Sequence, residues 1–151
     1  MFERSKILII GYGNTLRGDD GVGYKIAEMI EQWNLDNITS IAVHQLTPDL
    51  ADKIAQSDTV FFIDAIPIHD INTANIQIKT LSINEKINNL AHHNNPEQLL
   101  YLTAAIYQKF PIAYWILVPA LNFNFSEEFS LITQNHVNLT LEKIKNMLSI
   151  K

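Results

Sequence analysis

All five glycines of the chain fall within residues 11–23, in GYGNTLRGDDGVG, and the rest of the sequence has none. Glycine reaches positive φ and lets a second backbone come close, at an entropic cost, so this crowding points to one loop of demanding geometry. The loop follows a continuous apolar run, residues 6–11 (KILIIG), which suits a strand buried on both faces. It precedes a change of period, where Val22, Ile26, Met29, Ile30 and Trp33 share one helical face. Strand, glycine-rich loop and helix commit the start of the chain to an α/β arrangement.

The alternation continues. Residues 39–46 (TSIAVHQL) read as a strand, and residues 48–55 as a short helix with Thr47 as N-cap and Pro48 in its first position. Residues 59–66 (TVFFIDAI) are β-branched and aromatic, as a central strand should be. Residues 76–81 (IQIKTL) alternate like an edge strand. A helix over residues 96–109 is capped by Asn95 and carries Leu99, Leu102, Ile106 and Tyr107 on its apolar face. Residues 113–121 form another apolar strand, interrupted late by Pro119, and Val137, Leu141, Ile144 and Leu148 mark a last amphipathic helix. This order predicts a single α/β domain over residues 1–151. Its expected architecture is a three-layer αβα sandwich, with a mostly parallel, twisted sheet of about five strands and helices on both faces. In such sheets the functional crevice lies outside the carboxyl ends of the strands. That directs attention to residues 11–23, to the segment after Ile63, and to the loop before Pro96.

Composition narrows the partners. Eleven Lys and Arg stand against 16 Asp and Glu, a net charge of -5 with no basic run, which argues against nucleic acid and anionic membrane. The chain has no cysteine, so disulfides, thiolate metal cages and a cysteine nucleophile are excluded. The apolar run of Ile7, Leu8, Ile9 and Ile10 is too short for a signal peptide or a membrane span, and the expected location is the cytoplasm.

Three features carry chemistry. In the glycine-rich loop, Asp19 and Asp20 either cap the following helix, favouring its positive dipole end, or bind a ligand. The dinucleotide fingerprint fails at Leu16, and the second strand ends His44-Gln45-Leu46 with no acidic residue for a ribose; no Gly-Lys-Ser/Thr tripeptide exists either. Two adjacent carboxylates where a phosphate would sit are electrostatically wrong for phosphate and right for a cation. Asp64, near the end of an apolar strand, must be paired, hydrogen-bonded or metal-bound, with a helix N-terminus or Arg17 as the structural partners. His92 and His93 stand just before a helix, either as solvated surface or as ligands. Carboxylates plus imidazole, without cysteine, suit Zn, Ni or Fe with open positions. The patterns HExxH, G-x-S-x-G and EF-hand are all absent. His44, His136 and the His69–Asp70 pair read as structural or loop residues.

The block KILIIGYGNTLRGDDGVG resembles the opening motif of the hydrogenase maturation proteases, endopeptidases that remove a C-terminal extension from the large subunit of nickel–iron hydrogenases. The resemblance extends through QLTPDLA, FFIDA, HHNNPEQLL and YWILVPALNF, in matching order and spacing, and looks cyanobacterial in type. It implies that Asp20, Asp64 and His92 ligate nickel supplied by the substrate, with no permanent cofactor, and His93 competes with His92 for that assignment. Asp19 is then expected as a supporting group or base, and the glycine-rich backbone as a donor to the peptide or an oxyanion. The implied partner is the nickel–iron hydrogenase large-subunit precursor, met by a monomer. Two rivals use the same residues differently. A non-catalytic checkpoint or chaperone would bind the nickel-loaded precursor without cutting it, and a nucleotide-binding domain would ignore the metal. The segment FSEEFS after the last strand departs from the glycine-richer pattern of the family.

Overall fold

The computed structural model describes residues 5–83 and 95–150. Five strands form one sheet: β1 (Ile7–Tyr12), β2 (Ile38–Val43), β3 (Thr59–Pro67), β4 (Gln77–Leu81) and β5 (Ile112–Ala120). Four α-helices accompany them: α1 (Val22–Glu31), α2 (Leu50–Ala55), α3 (Pro96–Tyr107) and α4 (Leu131–Leu148). The strand order is β2-β1-β3-β5-β4, parallel except for β4, which runs antiparallel to β5 at the edge. The expected fold class and order of elements are therefore those observed.

Side chains alternate across each strand, so β1 and β3 feed two cores. Leu8, Ile10, Val60 and Phe62 pack with Leu50 and Ile54 of α2 and Leu99 and Leu100 of α3. Ile9, Phe61 and Ile63 pack on the other face with Ile26 and Ile30 of α1 and Val137, Leu141 and Ile144 of α4. Burial on both faces explains why these strands read as unbroken apolar runs. Each fully buried side chain of this size contributes about 1.5–3 kcal/mol. The alternating β4 is exposed along Gln77, Ile78, Lys79 and Thr80, as an edge strand should be.

Helix starts show where local signals hold. Asn95 caps α3 by accepting from the Gln98 N–H at 2.8 Å, with Pro96 in the first turn, as expected. The α2 start differs. Asp49, not Thr47, is its N-cap, and Thr47 and Pro48 instead form the turn whose carbonyls accept from Leu50 and Ala51. The last helix begins at Leu131, earlier than the Val137 periodicity suggests, because Ser130 caps it. No helix among the described residues is long and apolar enough to cross a membrane.

The sheet order also creates a switch point. The chain leaves β1 for β2 on one side, and leaves β3 for β5 and β4 on the other. Loops at the carboxyl ends of β1 and β3 therefore diverge and leave a crevice, the usual ligand position in open α/β sheets.

Candidate metal-binding site at the switch point

Asp64 and Asp20 both stand at this crevice, carried by different devices. Gly11 pairs with Ile63 across β1 and β3, so Tyr12 comes to lie beside Asp64. By alternation both share the face of Ile10 and Phe62. Asp64 Oδ1 accepts from the Ala65 N–H at 2.8 Å, and its carboxylate is hydrogen-bonded with the Tyr12 hydroxyl. Neither a helix N-terminus nor Arg17 pairs with it among the described residues. Burial, opposed by those two hydrogen bonds and assisted by the negative charge of Asp20, pushes the Asp64 carboxyl up to about 6. Tyr12 is also pushed up, by burial first and then by the charges of Asp64 and Asp20. One phenol thus feels both acids, Asp64 more than Asp20.

Asp20 reaches the crevice from the glycine-rich loop. Its Oδ2 accepts from the Asn14 N–H at 2.8 Å, while Oδ1 has no partner among the described residues. The turn that allows this needs Gly13, at φ 149°, where an added Cβ would lie 1.9 Å from the Asp20 carbonyl oxygen. A different need explains Gly23. Its Cβ would lie 2.2 Å from the Ile63 carbonyl oxygen, so only glycine lets α1 sit this close above β3. The glycine cluster therefore serves close packing as much as loop geometry.

Asp19 points elsewhere. It is 0% exposed. Its Oδ2 accepts from the N–H groups of Leu121 and Asn122 at 2.8 and 2.9 Å and from the Ser130 hydroxyl at 2.7 Å, and its Oδ1 from the Ser130 N–H at 2.7 Å. Burial alone would raise this carboxyl, but the donors from Asn122, Ser130 and Leu121 together hold it below the ordinary carboxylate range. Neither Asp19 nor Asp20 makes a side-chain cap to α1, whose N-cap is Gly21.

The loop backbone is likewise committed internally. The N–H groups of Gly13, Arg17, Gly18, Asp19 and Asp20 donate to Val43, Asn14, Ser126, Asn122 and Arg17 carbonyls, and those of Asn14 and Leu16 to side chains. An oxyanion donor role for these groups, expected from the sequence, finds them already engaged. The segment FSEEFS takes part in this closure, since Arg17 and Ser126 form a parallel bridge.

His92 and His93 lie outside the described residues. Among the described residues no three His, Cys, Asp or Glu side chains gather as a metal cage. The carboxylate oxygens of Asp20 and Asp64 are the donor type that a divalent cation takes. The remaining histidines are accounted for: His44, just past β2, stacks on Tyr24 with centroids 5.2 Å apart, and His136 Nδ1 lies 2.7 Å from the Ile132 carbonyl. His69 is exposed, and Asp70 caps a short 3-10 turn. Tyr12 and Trp115 are the site neighbours that sequence reasoning missed. The available signal was Tyr12 continuing the Leu8–Ile10 alternation on the strand beside Asp64.

No protein-family model and no curated protein matches this sequence. Solved structures do. The hydrogenase maturating endopeptidase HybD from E. coli aligns with a TM-score of 0.74 at 19% identity, over 95% of this chain and 92% of that one. The [NiFe] hydrogenase maturation protease HycI from Thermococcus kodakarensis KOD1 aligns with a TM-score of 0.72 at 20% identity, over 96% and 93%. The hydrogenase 2 maturation peptidase from Thaumarchaeota archaeon SCGC_AB-539-E09 gives 0.71 at 20% identity, over 97% and 99%. Over nearly its whole length, this chain has the fold of the hydrogenase maturation endopeptidases.

Proposed function

We propose that the chain is an endopeptidase that removes the C-terminal extension of a nickel–iron hydrogenase large-subunit precursor after nickel insertion. The observation that carries this reading is the convergence of Asp20 and Asp64 on Tyr12 at the switch point. The shared fold supports it. Asp20, Asp64 and His92, with His93 as the competing imidazole, ligate nickel that arrives with the substrate. Two carboxylates and one imidazole leave coordination positions for the substrate's own ligands.

Holding the nickel fixes the adjacent peptide, and such positioning alone can supply much of a hydrolytic rate enhancement. A cation at the scissile carbonyl polarises it or activates water. Water oxygen then bonds to the carbonyl carbon, the C–N bond breaks, and the proton given up by that water passes to the leaving amine. Asp19 acts as a brace for Asp20 and not as the base, because its oxygens are engaged by Leu121, Asn122 and Ser130. The protein works in the cytoplasm as a monomer.

The test is processing of purified nickel-loaded precursor by single variants. Asp20→Asn, Asp64→Asn and His92→Ala are each expected to abolish cleavage while keeping the circular dichroism of the parent. Full processing by Asp64→Asn would overturn the ligand role.

A further inference from the structure

Asp64 has one carboxylate oxygen fixed by the Ala65 N–H at 2.8 Å. A single hydrogen bond leaves rotation about the terminal torsion soft, since that torsion is broad. A second donor is needed to fix the plane. The Tyr12 hydroxyl is placed to be that donor: the β1–β3 register sets Tyr12 beside Asp64 on the same face, its phenol acts on the carboxyl as a hydrogen-bond donor does, and the Tyr12 side chain is only 8% exposed, between α2–α3 packing and the crevice.

A third residue extends the arrangement. Trp115 on β5 pairs with Phe62 in register, one alternation step before Asp64, and packs against the same core. Its Nε1–H is buried and lacks a hydrogen-bond partner among the described residues, although it is turned towards the Tyr12 hydroxyl. A buried unpaired donor is costly and calls for an explanation. An indole N–H only donates, an ionised carboxylate only accepts, and a phenol can do both. The three groups can therefore be joined in one sense only: Trp115 donates to the Tyr12 oxygen, and Tyr12 donates to Asp64. Lys79 Nζ, 5.9 Å from the Trp115 ring centroid, covers the outer side of the indole.

We propose that Tyr12 is a positioning residue that holds the Asp64 carboxylate in the orientation a divalent cation requires, with Trp115 anchoring the phenol from behind. The proposal rests on the reading of Asp64 as a ligand.

Calorimetric titration of the purified chain with nickel(II) chloride tests it, with thermal unfolding run on every variant. Tyr12→Phe keeps the ring and is expected to weaken nickel binding by about 10–100-fold, as loss of a ligand's orienting partner generally does, at an unfolding midpoint close to the parent's. Trp115→Phe should weaken it by roughly threefold, a smaller effect because it acts one bond further out. Substituting cobalt(II) adds a signature that stability cannot mimic: the visible absorption bands should shift in Tyr12→Phe. Equal nickel affinity and equal cobalt spectra in Tyr12→Phe and the parent would overturn the positioning role while leaving Asp64 as a ligand. If Asp64→Asn binds nickel as well as the parent, the ligand reading fails first and takes the proposal with it.

Discussion

Asp19 and Ser130, 111 residues apart in sequence, are joined by two hydrogen bonds of 2.7 Å, the Ser130 N–H donating to Oδ1 and its hydroxyl to Oδ2. The same hydroxyl caps α4 by accepting from the Thr133 N–H. One buried carboxylate thus ties the glycine-rich loop to the β5–α4 connection and to the start of the last helix. Its neighbour Asp20 is left free to face the crevice.

Loss of that tie should be felt in stability. Asp19→Asn places an NH2 group where several donors already converge, and bonds to a charged acceptor are worth about 1.5–3 kcal/mol each in comparable settings. The variant is expected to lose about 3 kcal/mol in urea denaturation, more than a single such bond at the low end of that range. A change within about 0.5 kcal/mol, the scatter of an ordinary surface substitution, would show that the tie contributes little.

Acid has the same target. The Asp19 carboxyl lies below its usual range in the folded state, so its stabilisation is full above the unfolded value of about 3.9 and is lost as pH falls through the lower folded value. Unfolding midpoints measured from pH 5 to pH 2 should fall less steeply in Asp19→Asn than in the parent. Parallel curves would contradict the assignment.

Asp64 behaves in the opposite direction. Its folded value of about 6 exceeds the unfolded one, so the native state holds the proton more tightly and loses stability as pH rises between about 4 and 6. Above that window the ionised, half-buried carboxylate is a standing cost of up to about 3 kcal/mol. Asp64→Asn should therefore be more stable than the parent at pH 7.5 and nearly equal to it at pH 4, while losing processing. A variant that is destabilised at pH 7.5 would show that the carboxylate is a structural group.

Close packing gives a prediction independent of function. In Gly23→Ala the new methyl would meet the Ile63 carbonyl oxygen at 2.2 Å, and backbone on both sides prevents an easy escape. About 3 kcal/mol of stability should be lost through displacement of α1. An unfolding midpoint unchanged within 2–3 °C, the size of a sub-kcal effect in a domain of this length, would refute the contact.

The fold was largely legible because both cores draw on the same two strands, and burial on two faces writes itself as ILII and VFFI. β4 was equally legible, since one exposed face leaves a two-residue alternation. What failed depended on partners remote in sequence. Nothing near Asp19 announces Leu121, Asn122 and Ser130, so a structural carboxylate read as a helix cap or a base. Which backbone each glycine makes room for, as Gly23 does for the Ile63 carbonyl, is equally invisible locally. Thr47 and Pro48 satisfied every local cap rule, yet the turn they form precedes Asp49. At the site, the expectation that Asp20 and Asp64 share one sheet edge rested on strand order alone, whereas Tyr12 and Trp115 required the register.

The most direct test mixes the purified chain with two precursors, one nickel-loaded and one nickel-free, and follows the intact mass of each. Only the nickel-loaded precursor is expected to lose its C-terminal extension, with the extension recovered as a separate peptide. Unchanged mass of the loaded precursor bound in a stable complex, or equal cleavage of both precursors, would contradict the proposed function.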